Sequence, residues 1–112
     1  MSLDQSIRTG VSGLECQVTD GATVVTLWGE IDASMRPTAS RVMASLALHD
    51  TTLPVIIDTS DVSFIDSSGV AFVLQIYALG LENGVNVILR NPSIAVVEVL
   101  AMVGILDRIP VE

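Results

Sequence analysis

The stretch Pro54-Val55-Ile56-Ile57-Asp58-Thr59-Ser60-Asp61-Val62-Ser63-Phe64-Ile65-Asp66-Ser67-Ser68-Gly69 decides how the rest of the chain is read. Its first part, Val55-Ile56-Ile57-Asp58, is a short apolar run opened by a proline, the pattern of a buried strand. Thr59 to Ser68 is polar and reads as a turn region, interrupted by Phe64-Ile65. From Val70 to Leu81 the chain is apolar nearly all round, with Gln75 and Tyr77 supplying the polar groups. That pattern predicts a helix packed on most sides or offering a face to a partner. A strand, a polar loop and an apolar helix make one βα unit. In an open sheet of such units, the loops after the strand C-termini gather on one rim.

Upstream, Leu14 to Thr19 alternates apolar and polar residues, the period of a half-buried strand. Asp20-Gly21 is a two-residue hairpin signal, and Ala22 to Trp28 returns as a second strand. Gly29-Glu30-Ile31-Asp32 leaves that strand. A helix follows, with Asp32 or Ser34 as its cap and Pro37 in its first turn. Val42, Met43, Leu46 and Ala47 form its apolar stripe, and it ends near His49-Asp50. Downstream, Asn83-Gly84 stops the second helix and Val85 to Leu89 is a strand. Ser93 to Val103 is a third helix closed by Gly104, and Ile105 to Val111 is a short strand or partial helix. The order β-β-α-β-α-β-α predicts an α/β fold: one domain whose mixed, mostly parallel sheet opens with a β-hairpin and is flanked by helices. Met1 to Gly13 is polar and reads as a loose lead-in, leaving residues 14–112 as the domain.

Composition narrows the function. The 112 residues include 13 acidic and 5 basic side chains, for a net charge of −8. Such a surface repels nucleic-acid backbones and anionic lipid heads, so neither is expected as a partner. Every basic residue is Arg, and without Lys there is no phosphate-cradling Walker lysine. The long apolar stretches are interrupted by Gln75 and Glu98 and fall short of the roughly 18 residues a membrane span needs. Cys16 stands alone, so there is no disulfide within the chain and no cysteine-based zinc cluster. No feature calls for a cofactor or a metal. Met1 to Gly13 lacks the apolar core of a signal peptide, which makes the cytoplasm the expected compartment.

Two rim segments carry polar groups in density: Gly29 to Ser34, and Asp58 to Gly69. Ser67 sits at a helix start and has two readings. It is a helix cap, its hydroxyl accepting a backbone N–H, or it is a phosphorylation site whose phosphate the helix N-terminus tolerates. Asp66 either orients the Ser67 hydroxyl or is a first-turn acid complementing the helix dipole. Glu30 and Asp32 are a solvated turn and a cap, or part of a partner interface. Gly69 permits tight packing or close approach of a partner. Asp58 is expected to accept N–H bonds from its loop. His49, the single histidine, lies near a helix C-terminus, and Cys16 and Trp28 are expected in the core.

Gly29-Glu30-Ile31-Asp32, then Val55-Ile56-Ile57-Asp58, then Phe64-Ile65-Asp66-Ser67-Ser68-Gly69 before an apolar helix resembles the STAS domain, and more closely the stand-alone anti-sigma factor antagonists. The likeness covers residues 14 to 109. It implies that Ser67, the first Ser of Asp-Ser-Ser-Gly, is phosphorylated by an anti-sigma factor that is itself a serine kinase. It also implies that the unphosphorylated form binds that kinase and frees a sigma factor, and that a metal-dependent serine phosphatase resets the switch. The implied partner surface comprises Glu30, Asp32, Ser34, Phe64, Asp66, Ser67, Ser68, Gly69 and Val70.

Three other readings are weighed on residues. A hydrolase using Ser67 needs a base, and no Gly-x-Ser-x-Gly elbow surrounds Ser67. A receiver domain with Asp58 as acceptor needs a lysine late in the chain, and there is none. An accessory subunit of a lipid transporter, or a scaffold of a stress-signalling assembly, keeps the STAS fold and changes the role. A non-enzymatic antagonist is the expectation.

Overall fold

The computed structural model of the chain describes residues 10–48 and 51–112. His49, Asp50 and Met1 to Thr9, and with them the expectations for the single histidine and for most of the lead-in, lie outside the described residues. The elements are β1 (Gly13–Thr19), β2 (Ala22–Ile31), a 3-10 turn (Ala33–Met35), α1 (Arg36–Leu48), β3 (Val55–Ile65), α2 (Ser67–Asn83), β4 (Val87–Arg90), α3 (Ile94–Met102) and a second 3-10 turn (Leu106–Arg108). The strands form one four-stranded sheet in the order β1-β2-β3-β4. β1 and β2 pair antiparallel through the Asp20-Gly21 turn, where Gly21 takes a positive φ of 81°. β2 with β3 and β3 with β4 pair parallel, as helix crossovers require. The expected mixed sheet and element order are therefore observed.

Register explains where the core lies. Thr23 pairs with Val55 and Val55 with Val87; Val25 pairs with Ile57 and Ile57 with Leu89. Leu27 pairs with Leu14 across the hairpin. These residues are all buried on one sheet face, and Val42 and Leu46 of α1, Phe72, Val73 and Ile76 of α2, and Val96 and Leu100 of α3 join them in one cluster. Ala47, expected in the α1 stripe, is exposed; the stripe turns toward Ala39, Val42, Met43 and Leu46 instead. Cys16 and Trp28 pack where expected: Cys16 is half-buried against the core, and burial pushes its thiol pKa up. Trp28 is buried, and its indole N–H donates to the Gly10 carbonyl at 3.4 Å. The tail after α3 closes the outer edge of β4. Leu89 N–H donates to Pro110 O at 2.8 Å, and Glu112 N–H donates to Leu89 O at 2.9 Å.

β4 starts at Val87 rather than Val85 and α2 runs from Ser67 to Asn83, beyond the expected Val70 to Leu81; two strand ends run further past the sequence reading, for the same reason. β2 continues through Gly29-Glu30-Ile31 rather than ending at Trp28, and β3 continues through the polar run to Ile65. Along this shared extension the register slips twice: Thr26 and Trp28 face Asp58 and Asp61, while Gly29 and Glu30 face Val62 and Phe64. β3 thus carries an extra residue at each slip, a pair of bulges. They destroy period-two alternation, so Val62 and Ile65 are buried at a spacing no regular strand shows. Gly29 answers the second slip. Its φ is 74°, and a Cβ there would sit 2.2 Å from Val11 O.

Candidate functional site

The extension of β2 and β3 builds the site. Their last paired residues are Glu30 with Phe64 and Ile31 with Ile65. Just beyond, the Asp66 N–H donates to Ile31 O at 3.2 Å, fastening the two chain segments as they leave the sheet. The rim expected from topology therefore has the Gly29–Ser34 and Phe64–Gly69 segments side by side. Ser12, just before β1, braces it by accepting the Glu30 N–H at 2.8 Å.

Asp32 stands in extended backbone and caps the first 3-10 turn. Its Oδ1 accepts the Ser34 N–H at 2.9 Å and the Ser34 hydroxyl at 2.5 Å. The Ser34 hydroxyl, and then the Ser34 N–H, hold the Asp32 carboxyl below the usual carboxylate pKa. Of the two caps expected, Asp32 is the one used.

The start of α2 corrects a second expectation. The cap is Asp66, not Ser67: its Oδ1 accepts N–H bonds from Ser68 at 2.8 Å and from Gly69 at 3.3 Å. With the carboxylate in that place, Ser67 becomes the first helical residue. Its side chain is exposed, and its hydroxyl has no hydrogen-bond partner among the described residues. Asp66 thus holds the backbone under Ser67 and leaves the Ser67 Oγ exposed.

Phe64 is 49 % exposed beside Glu30, an aromatic ring offered to solvent at the same rim. Glu30, Ser34 and Ser67 are exposed, and Asp32, Asp66 and Ser68 are half-buried. Gly69 and Val70 do not line this surface. Val70 turns into the core, and Gly69 is buried where a Cβ would lie 2.6 Å from Ile65 Cγ1 and 2.9 Å from Ile31 Cγ2. They support the surface from beneath. Asp58 lies within β3 rather than at its end; its Oδ1 accepts the Ser60 N–H at 3.0 Å and the Ser60 hydroxyl at 2.8 Å, across the first bulge.

One residue of the site carries no sequence signal. Arg36, the first residue of α1, donates from Nη2 to Ser68 Oγ at 3.3 Å. The contact joins positions separated by 32 in sequence, which no local pattern reveals. Among the described residues no group of His, Cys, Asp and Glu is placed to hold a metal, and no helix is long and apolar enough to cross a membrane.

Comparison with known proteins agrees with this fold. An anti-sigma factor antagonist from Mycobacterium paratuberculosis superposes with a TM-score of 0.70 at 27 % identity, over 89 % of this chain and 84 % of that one. The anti-sigma factor antagonist SpoIIAA in its unphosphorylated form gives 0.65 at 27 % identity, over 90 % and 87 %. A Thermotoga maritima protein gives 0.70 at 16 % identity, over 88 % and 84 %, a likeness of fold alone. No curated protein sequence matches significantly. The profile of the STAS domain matches residues 14–112, and the chain belongs to the STAS domain family.

Proposed function

We propose that this chain is an anti-sigma factor antagonist switched by phosphorylation of Ser67. Unphosphorylated, it binds an anti-sigma factor with serine kinase activity through the rim of Glu30, Asp32, Ser34, Phe64, Asp66, Ser67 and Ser68, and so releases a sigma factor. The kinase then modifies Ser67, and a metal-dependent serine phosphatase reverses the modification. The protein acts in the cytoplasm by binding, without catalysis of its own. The observation that carries the reading is the Ser67 hydroxyl, exposed and unengaged on a backbone that Asp66 holds. The two antagonists at 27 % identity support the role.

Charge supplies the switch. A phosphate adds about −1.5 to −2 charges at neutral pH. At the first residue of α2 the free N–H groups and the dipole accept that charge, so the helix stays folded. Toward a partner the effect has the opposite sign. The rim already carries Glu30, Asp32 and Asp66, and the added charge repels a nucleotide-loaded kinase.

The test is a pull-down from the native host with Ser67→Ala and Ser67→Glu baits and identification by mass spectrometry. A kinase-fold anti-sigma factor held by the alanine bait and lost by the glutamate bait is the expected result. If both baits hold the same partner, Ser67 is no switch and the accessory-subunit or scaffold reading replaces this one.

A further inference from the structure

Beside the switch serine, α1 and α2 leave an open groove of about 480 Å³ between them. α1 lines it with Arg36, Ala39, Ser40 and Met43, and α2 with Ser68, Ala71, Phe72 and Gln75. Each set has the spacing i, i+3, i+4, i+7, one straight face of a helix. Two helices presenting such faces to a shared trough leave the place of a third, whose ridge of side chains fits between theirs. The trough is shaped for it: Ala39, Ser40, Ser68 and Ala71 are small, Phe72 forms an apolar floor, and Met43 adapts to what it meets.

The charge of the groove runs against that of the molecule. On a chain of net charge −8, none of the groove residues is acidic, and one, Arg36, is basic. Among the described residues Arg36 makes no ion pair; its guanidinium spends one N–H on Ser68 Oγ. A guanidinium that is exposed and without an ion pair among the described residues, beside the apolar Ala39, Met43, Ala71 and Phe72, is suited to a carboxylate.

We propose that the α1–α2 groove receives an amphipathic helix of a partner protein, its apolar face against Ala39, Met43, Ala71 and Phe72 and a carboxylate on Arg36. The partner's identity as the anti-sigma factor rests on the antagonist reading above; the groove's preference does not. Arg36 also touches the residue next to Ser67, so helix docking and the switch share a boundary.

The experiment is an amide chemical-shift titration of the full chain, ¹⁵N-labelled, with a capped helix-forming peptide carrying leucines at i, i+3/i+4 spacing and one glutamate, and with the same peptide carrying lysine instead. The sign is diagnostic, because the net charge alone favours the lysine peptide. At physiological salt, where charges beyond about 8 Å are screened, the local guanidinium governs. The expected result is saturable shifts at Ala39, Met43, Ser68, Ala71 and Gln75, with the glutamate peptide bound about three- to fivefold more tightly. Arg36→Glu reverses that preference, and Ala71→Trp, at an exposed position, abolishes binding by either peptide; circular dichroism verifies that both variants are folded. Absence of groove shifts, or a lysine peptide bound equally or better, overturns the proposal. So do groove shifts produced by decanoate and not by the peptide, which assign the groove to an anionic amphiphile, or shifts produced by protein concentration alone, which assign it to a second copy. Ser67 takes no part in this titration. A groove that binds while the Ser67 baits fail to discriminate therefore sinks the antagonist reading alone.

Discussion

Replacing Gly69 with alanine sets two effects of opposite sign against each other, and the structure decides between them. Gly69 is the third residue of α2, so alanine improves helix propensity and narrows the unfolded ensemble, a gain of up to about 1 kcal/mol. Against this, the new Cβ would lie 2.6 Å from Ile65 Cγ1, 2.9 Å from Ile31 Cγ2 and 3.0 Å from Ile31 O. Neither isoleucine has room to yield, since Ile65 is 3 % and Ile31 1 % exposed in a close-packed core. The carbonyl cannot rotate aside, because it accepts the Asp66 N–H that fastens the helix start. Forced overpacking of this kind costs about 1–3 kcal/mol, and three tight contacts, one of them backbone, place it in the upper part of that range.

The net expectation is a loss of about 1–2 kcal/mol, since the propensity gain offsets only part of the strain. With a urea m-value of about 1–3 kcal/mol/M for a small domain, the unfolding midpoint falls by roughly 0.3–2 M. Equilibrium urea unfolding followed by circular dichroism reads this directly. Because the strain acts on the Ile31–Asp66 junction, amide shifts in the native state should concentrate at Glu30–Asp32 and Asp66–Ser68. A midpoint equal to or above that of the unmodified chain, at unchanged m, refutes the reasoning and means that the β2 end and α2 separate at little cost.

Two further outcomes follow from the same rim. Asp66→Ala removes the acceptor for two α2 N–H groups and should cost about 1 kcal/mol, whereas Asp66→Asn, which keeps an acceptor, should cost much less; urea midpoints of the pair separate capping from charge. The Asp32 carboxyl should titrate below its usual 3.8, because the Ser34 hydroxyl and N–H favour the ionised form. A depressed folded-state value means that the Asp32–Ser34 turn is favoured above the unfolded pKa and weakens as pH falls through the folded one. Carboxyl ¹³C titration of the chain and of Ser34→Ala checks this, and equal midpoints in the two would show that Ser34 is not the cause.

The hairpin, the helix order and the mostly parallel sheet were legible because each rests on a local regularity: Asp20-Gly21 at the turn, the alternation of Leu14 to Thr19, Gly84 closing α2. The ends of β2 and β3 were not, because bulges are settled between strands. Ser63-Phe64 looks like loop when each residue is weighed by its own neighbours. It is strand because Gly29 and Glu30 lie beside it and supply the hydrogen bonds. The reading of Ser67 as the cap of α2 missed by one residue for a related reason. Asp and Ser are nearly equal as N-caps, and adjacent candidates are separated only by which one the chain leaves in extended backbone. Asp66, with φ −110° and ψ −169°, is that residue because its N–H is already committed to Ile31 O. The contact of Arg36 with Ser68 lay beyond reach of any local pattern.

These misread boundaries matter to function. Had β2 and β3 ended where alternation stops, Glu30 would sit on one flexible loop, and Phe64 and Ser67 on another. Each would then lose conformational entropy separately on meeting a partner. Instead the paired extension carries both segments past the body of the sheet as a ladder, and the Asp66–Ile31 bond prolongs it to the helix start. The rim is therefore ordered before anything binds. On such a scaffold, modification of Ser67 need not move the backbone to be sensed. Charge at a fixed position is enough, and the N-terminus of α2 is where the chain can hold that charge without unfolding. The scaffold makes a demand of its own. Ser67→Glu should leave the amide shifts of Glu30–Asp32 nearly unchanged while partner binding is lost, and a large displacement of that segment would mean that the switch works by shape instead.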